Sequence, residues 1–302
     1  MTRPHKSYRD IVGDGGSDIV GQVVAQQARL RARMAAVRWK LAVVSGKGGV
    51  GKSVLAANLA AAFAREGHRV GVLDADINGP SIAKMLGVRG QTLRVTGDGV
   101  VPAVSAQGIR VMSMDLLLPS DATPVTWDAP TQAEAFTWRG TMEANALREF
   151  LTDTAWGDLD LLLADLPPGT DRIPTIAGLL PDLTGTLIVT IPSEVSQLVV
   201  RKSIAMAQEV KTPVLGLVEN MAGYVCPHCG GLGELFHGPG GERLAAEAGI
   251  PFLGRIPFDP RIAAAGDRGA AFLAEEAGSP AGRALTELAG RILATLHRAG
   301  AS

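Results

Sequence analysis

The chain is punctuated by short, nearly unbroken apolar runs: KLAVVS (40–45), RVGVLDAD (69–76), IRVMSM (109–114), LDLLLAD (159–165), TLIVTI (186–191), VLGLVEN (214–220) and FLGRI (252–256). Runs that are apolar throughout, rather than at every second position, predict strands buried on both faces, as in a parallel sheet. Helical spacing of apolar positions fills intervals at about 52–66, 142–153, 194–209 and 241–248, and a final helix is expected over about 280–298. Strands alternating with helices predict an α/β fold of three layers, a mostly parallel central sheet covered by helices on both faces. Upstream, residues 1–21 are polar and rich in Gly and Asp, hence expected to be loosely ordered. Leu30, Met34 and Val37 then give 21–38 a helical stripe. The expected organisation is a polar segment and basic helical arm over 1–39, then a single domain over 40–302.

Hydrophobic residues make up 46% of the chain and charged residues 20%, which suits a globular protein with a large core. The formal net charge of −1 supplies no overall attraction to nucleic acid or to an anionic membrane, and neither is expected as a partner. Positive charge gathers only in the arm, with eight Lys or Arg against three Asp over residues 1–40. A solvated helix face accounts for this, a docking surface being the other reading. Two cysteines in 302 residues cannot form the disulfide framework of a secreted domain, so a reduced, cytoplasmic setting is expected. The opening MTRPHKSYRD lacks the apolar core of a signal peptide, and no run of about 18 apolar residues predicts a membrane span.

Chemistry enters at SGKGGVGKS (45–53), between the first strand and the first domain helix. Gly46 to Ser53 matches G-x-x-x-x-G-K-[ST], the phosphate-binding loop, in the strand–loop–helix context that it requires. Gly46, Gly48, Gly49 and Gly51 let the backbone curl so that successive N–H groups, those of Lys47 and Val50 among them, face phosphate oxygens. The helix N-terminus adds partial positive charge, Lys52 reaches the β- and γ-phosphates, and the Ser53 hydroxyl can ligate Mg²⁺. ATP with Mg²⁺ is the expected ligand. Two strand ends carry carboxylates: Asp74 and Asp76 in LDADINGPS, and Asp165 in LLLADLPPGT. Asp165 takes the place of an acidic residue near Mg²⁺, and Gly169 can bring its N–H to a γ-phosphate, so this turn can sense ATP against ADP. Cys226 and Cys229 stand in YVCPHCGG (224–231). A closed thiolate site usually takes four ligands, so this pair supplies half, and a two-fold dimer would be one source of the rest. Zinc, held across such a dimer or with His228 or His237, is the rival metal. A thioredoxin-like redox pair lacks the expected strand–CxxC–helix context, and two inert loop cysteines are the remaining reading.

The second lysine of the loop, Lys47, resembles that of the deviant Walker A motif of the MinD/ParA/nitrogenase-iron-protein class of ATPases. The resemblance implies that Lys47 crosses a homodimer interface to the partner's nucleotide, that Asp76 orients the attacking water and that Asp74 belongs to the metal shell. Together SGKGGVGKS, LDADINGPS, DLPPGT, VRKSI, ENMAGYVCPHCGG and IPFDPRIAAAGDRG resemble, over about 40–275 and in matching order, the Mrp/ApbC family of P-loop iron–sulfur cluster carriers. This implies a homodimeric ATPase that holds a [4Fe-4S] cluster between two CxxC pairs and hands it to apo iron–sulfur proteins, in company with cluster-assembly proteins. Lys47, Lys52 and Asp76 would be its catalytic residues. Resemblance to related ATPases also implies that Asn220 reads the adenine amino group and that the loop around Pro257 packs on the base. The sequence departs from the family pattern in lacking a glycine between Thr170 and Asp171, in Val54 after GKS, and in Thr141 where a proline is usual. Other readings are a ParA/MinD-like positioning ATPase without a cluster, and an electron donor like the nitrogenase iron protein.

Overall fold

The computed structural model describes residues 19–120, 123, 125, 132–236 and 240–299. Most of the polar segment 1–21, and His237, lie outside these residues. Helix α1 (Ile19–Ala35) leads into β1 (Val37–Ser45), α2 (Lys52–Arg65), β2 (Val70–Asp74) and the single turn α3 (Ile82–Met85). Short strands β3 (Arg94–Thr96), β4 (Gly99–Val101), β5 (Ala103–Val104) and β6 (Arg110–Met112) precede α4 (Gln132–Asp153), β7 (Leu159–Asp165) and α5 (Arg172–Leu179). Then come β8 (Gly185–Thr190), α6 (Glu194–Glu209), β9 (Val214–Val225), β10 (Leu232–Gly233) and α7 (Gly241–Ala248). The chain closes with β11 (Phe252–Phe258), α8 (Pro260–Asp267), α9 (Phe272–Glu276) and α10 (Pro280–Ala299).

Nine strands form one sheet in the order β10-β9-β8-β1-β7-β2-β6-β5, with β11 also paired to β9. The pairings are parallel except β10 on β9 and β5 on β6. Successive side chains of a strand point to opposite faces, so Leu41 and Val43 of β1 join a core with Leu55 and Phe63 of α2 and Leu288 of α10. Ala42 and Val44 join the other, with Met34 of α1, Leu151 of α4 and Ile204 of α6. The expected mostly parallel sheet with helices on both faces is what the chain builds.

Three boundaries differ from expectation. The helical stripe over 21–38 ends at Ala35, because Val37 and Trp39 are buried and pair with Leu159 and Leu161 of β7. A β-branched and an aromatic residue gain more on a packed sheet than on a helix end. The arm is also less solvated than its charges suggest. Leu30 and Met34 are core residues, and the buried Lys40 amine donates to Met34 O (3.2 Å) and Val37 O (3.0 Å). Burial lowers the Lys40 pKa, against an opposing pull from Asp182. Helix α4 starts at Gln132 rather than near 142, since Gly140 costs a helix only about 1 kcal/mol and does not end it. Finally, β11 runs to Phe258, so Pro257 lies buried within a strand and not in the loop after it. The ladder slips between Ile256 and Phe258, and such an irregularity accommodates a residue with no N–H to donate.

Candidate functional site

β1 ends at Ser45 and α2 begins at Lys52, so the glycine loop is the turn between a central strand and a helix N-terminus. At Gly51 φ is 77°, and a Cβ there would stand 2.3 Å from Asn220 Nδ2, so any side chain would meet a strained backbone and displace the Asn220 amide. Lys47 to Val54, with Ser45, Asp76, Ser81, Met85 and Pro168, line a cleft of about 330 Å³. The half-buried Lys47 side chain has no acidic partner among the described residues, and Ser45 Oγ donates to the Lys47 carbonyl at 3.0 Å.

Lys52 is buried and forms an ion pair with Asp165 Oδ1, while its Nζ lies 3.2 Å from Ser53 Oγ. Asp165 is wholly buried, and burial raises its pKa despite the Lys52 ammonium beside it. Its Oδ2 has no hydrogen-bond partner. A buried acceptor left unpaired costs about 1–3 kcal/mol, and a divalent cation held between Ser53 Oγ and this oxygen would satisfy it. The donor set is all oxygen, as Mg²⁺ requires.

The two carboxylates of LDAD part company. Asp74 is buried and accepts from the Ser81 N–H (2.9 Å), the Ile82 N–H (3.1 Å) and Ser113 Oγ (3.0 Å). Burial, with the Asp165 charge nearby, raises its pKa to about 7. Asp74 therefore anchors the turn at 81–82 and does not line the cleft, whereas Asp76 does, its Oδ1 accepting the Gly79 N–H at 3.1 Å. Across the cleft, the Gly169 N–H donates to Ser45 O at 3.0 Å, so a phosphate contact from Gly169 requires that bond to open. The two loops are joined from behind by Glu143 of α4, which accepts from Asn78 Nδ2 (2.6 Å) and Arg172 Nη1 (3.2 Å).

β9 pairs with β8 as far as Glu219, opposite Thr190, and then projects past the edge of the sheet on the side of the glycine loop. At the base of this overhang Asn220 Nδ2 donates to Val50 O at 2.8 Å. Neither Asn220 nor Pro257 lines the cleft. Near its tip Tyr224 stacks on Phe258, ring centroids 6.2 Å apart, and Val225 pairs with Leu232. The Cys226 N–H then donates to Gly231 O (2.9 Å) and the Gly230 N–H to Cys226 O (2.8 Å), closing a tight knuckle. Cys226 is half-buried, Cys229 exposed, and both thiols are free. The N–H groups of Cys229 and His228 hold the Cys226 pKa below its ordinary value, favouring the thiolate that binds metal. Among the described residues no group of three or more His, Cys, Asp or Glu is placed to hold a metal. The two thiols therefore stand without a third such ligand among the described residues.

Sequence reading missed Ser113, Glu143 and Glu219, which hold these loops. The only signal for Glu219 was an acid inside an apolar strand run, and for Glu143 an acid on the apolar stripe of a helix.

Comparison with known proteins bears on this combination of site and fold. Residues 36–293 match the family model of ParA-type NUBPL iron-transfer P-loop NTPases. The chain belongs to this family. An iron–sulfur cluster carrier protein of Saccharolobus solfataricus is 45% identical over 292 residues, 96% of this chain and 93% of its own. The human cytosolic Fe-S cluster assembly factor NUBP2 is 41% identical over 265 residues, 86% of this chain and 94% of its own. A nucleotide-binding protein of Archaeoglobus fulgidus, solved in complex with ADP, superposes with a TM-score of 0.68 at 37% identity, covering 81% of this chain and 91% of that one. The cell-division ATPase MinD of Pyrococcus furiosus shares the fold at 21% identity, with a TM-score of 0.59 over 85% of this chain and 98% of that one. No helix among the described residues is long and apolar enough to cross a membrane.

Proposed function

We propose that this member of the family is a cytoplasmic ATPase that carries a [4Fe-4S] cluster at a homodimer interface and transfers it to apo iron–sulfur proteins. The observation that carries the reading is the two-thiol knuckle, which has no third ligand among the described residues and sits on the strand that touches the glycine loop. Two copies related by a two-fold axis supply the four thiolates that such a cargo needs. Exposed Val195 and Leu198 on α6 support that contact. They lie on the same helix just before Val199, whose side chain packs against Gly46 of the glycine loop.

In this mechanism the loop N–H groups and Lys52 hold the phosphates of ATP, Lys52 leaving Asp165 to do so. Ser53 and Asp165 would hold Mg²⁺, which would supply charge neutralisation at the β- and γ-phosphates. Asp76 orients the attacking water, and Lys47 of the partner subunit stabilises charge that develops on the transferring phosphoryl. Loss of that phosphoryl lets Gly169 close on Ser45, and Glu143 relays the change between the loops that carry Asn78 and Arg172. Asn220, its Nδ2 on Val50 O, keeps Oδ1 to accept the adenine amino group, and Pro257 near the end of β11 packs on the base.

Anaerobic reconstitution with iron and sulfide tests the cargo. The wild type is expected to show a broad visible band and about four irons per dimer, both lost in the Cys226→Ala/Cys229→Ala variant, which still binds ATP. A colourless protein that retains zinc, or no metal, would overturn the cluster.

A further inference from the structure

We propose that Glu219 is the positioning residue that ties the cysteine loop to the nucleotide loop. Glu219 is 2% exposed, and it is the last residue of β9 to pair with β8. Its Oε1 accepts the backbone N–H of Gly241, the first residue of α7, and its Oε2 accepts Arg255 Nε of β11 at 2.9 Å. Gly241 is where the chain returns from the cysteine loop. A Cβ at Gly241 would lie 3.2 Å from Glu219 Oε1 and 3.3 Å from its Cβ, so the return point is packed directly on this side chain. The carboxylate thus fastens the closing end of the loop to the strand from which the loop departs.

The next two residues meet the glycine loop. Asn220 donates to Val50 O, and Met221 Cε lies 3.4 Å from the Cβ position of Gly51. Met221 has φ 55°, a left-handed conformation that a non-glycine residue holds only when its surroundings impose it. Three consecutive residues therefore grip the return of the cysteine loop, the glycine loop and a strained kink in the overhang. A shift of Val50 and Gly51 on engaging phosphate moves Asn220 and Met221, and Glu219 must carry Gly241 and Arg255 along. A carboxylate that merely capped α7 would hold the loop equally in every nucleotide state. One that couples the two sites makes the thiols respond to nucleotide.

The inference rests on the proposed function only in taking Cys226 and Cys229 as the working end, and its test needs no iron. Full-length, reduced, metal-free protein is alkylated with iodoacetamide, alone and with MgADP or a non-hydrolysable ATP analogue. The chain has two cysteines in all, so the rate reports this loop alone. In the wild type nucleotide should change the rate about fivefold or more, within the usual range of coupling between sites. Glu219→Gln should bind nucleotide within about twofold of wild type yet lose most of that change. Gly241→Ala, which presses on the same carboxylate without altering its charge, should reduce the response in the same direction. A wild-type protein whose thiols ignore nucleotide overturns the proposal, as does a Glu219→Gln variant with the full response. Should Glu219→Gln not fold, an undiminished response in Gly241→Ala overturns it and a diminished one supports it. Failure of the cluster reading would appear in iron reconstitution and leave this result intact.

Discussion

Asp74 and Asp165 end neighbouring strands in register, one opposite the other, with the Lys52 ammonium paired to Asp165. Burial of Asp74, with the Asp165 charge beside it as the lesser cause, raises its pKa from 3.8 to about 7. The folded chain then holds a proton that the unfolded chain has released between about pH 4 and pH 7. Stability from this group is present at the acid end of that window and falls as pH rises through about 7. Denaturant midpoints at pH 5 and pH 8 should show wild type losing ground to Asp74→Asn, which cannot ionise. Parallel decline of the two proteins would sink this assignment. At this scale the sequence is readable where chemistry is contiguous: the glycine loop, Lys52 and Ser53 stand together in nine letters. It is silent where partners are remote. Ser113 meets Asp74 and Lys52 meets Asp165 across stretches of chain that no motif spans.

Among elements, those with a clear apolar face announced themselves. β7, α6 and α7 occupy 159–165, 194–209 and 241–248, as their apolar patterns indicate. The hairpin of β3 and β4 did not, because β3 is exposed along its whole length and has no buried face to pattern. α3 and α9, of four and five residues, are too short for a helical period to declare itself. The end of β9 is a different case. NMAGYV alternates weakly, and its strand character comes from β10 and β11 pairing with it. Helix α1 was legible as a helix but not as part of the core. Met34 is 1% exposed among Leu147 and Leu151 of α4. Met34→Ala should therefore cost about 2–5 kcal/mol, read from urea unfolding, whereas a solvated arm would lose almost nothing.

For the molecule as a whole, matching extends beyond motifs to nearly full length, with 93% of the archaeal carrier covered. Fold alone would not separate this chain from MinD-like ATPases; the projecting thiol knuckle does. The proposed dimer makes a quantitative demand. Lys47→Ala and Lys52→Ala homodimers should each be inactive, one lacking the lysine given to its partner, the other its own phosphate grip. Mixed in equal amounts and allowed to exchange, they should recover about a quarter of wild-type ATPase: half of the dimers are mixed, and each has one intact site of two. No recovery would mean that Lys47 does not act across an interface. The overhang of β9 carries a further implication. Its hydrogen bonds to β8 stop at Glu219, and the chain is back in a helix by Gly241. The stretch between them keeps its ladder to β11 and its bond to the glycine loop at its base, and only the knuckle beyond Tyr224 stands clear of the sheet. A different knuckle could therefore be grafted beyond Tyr224, by inheritance or by design, provided that the anchor points at Glu219 and Gly241 are kept.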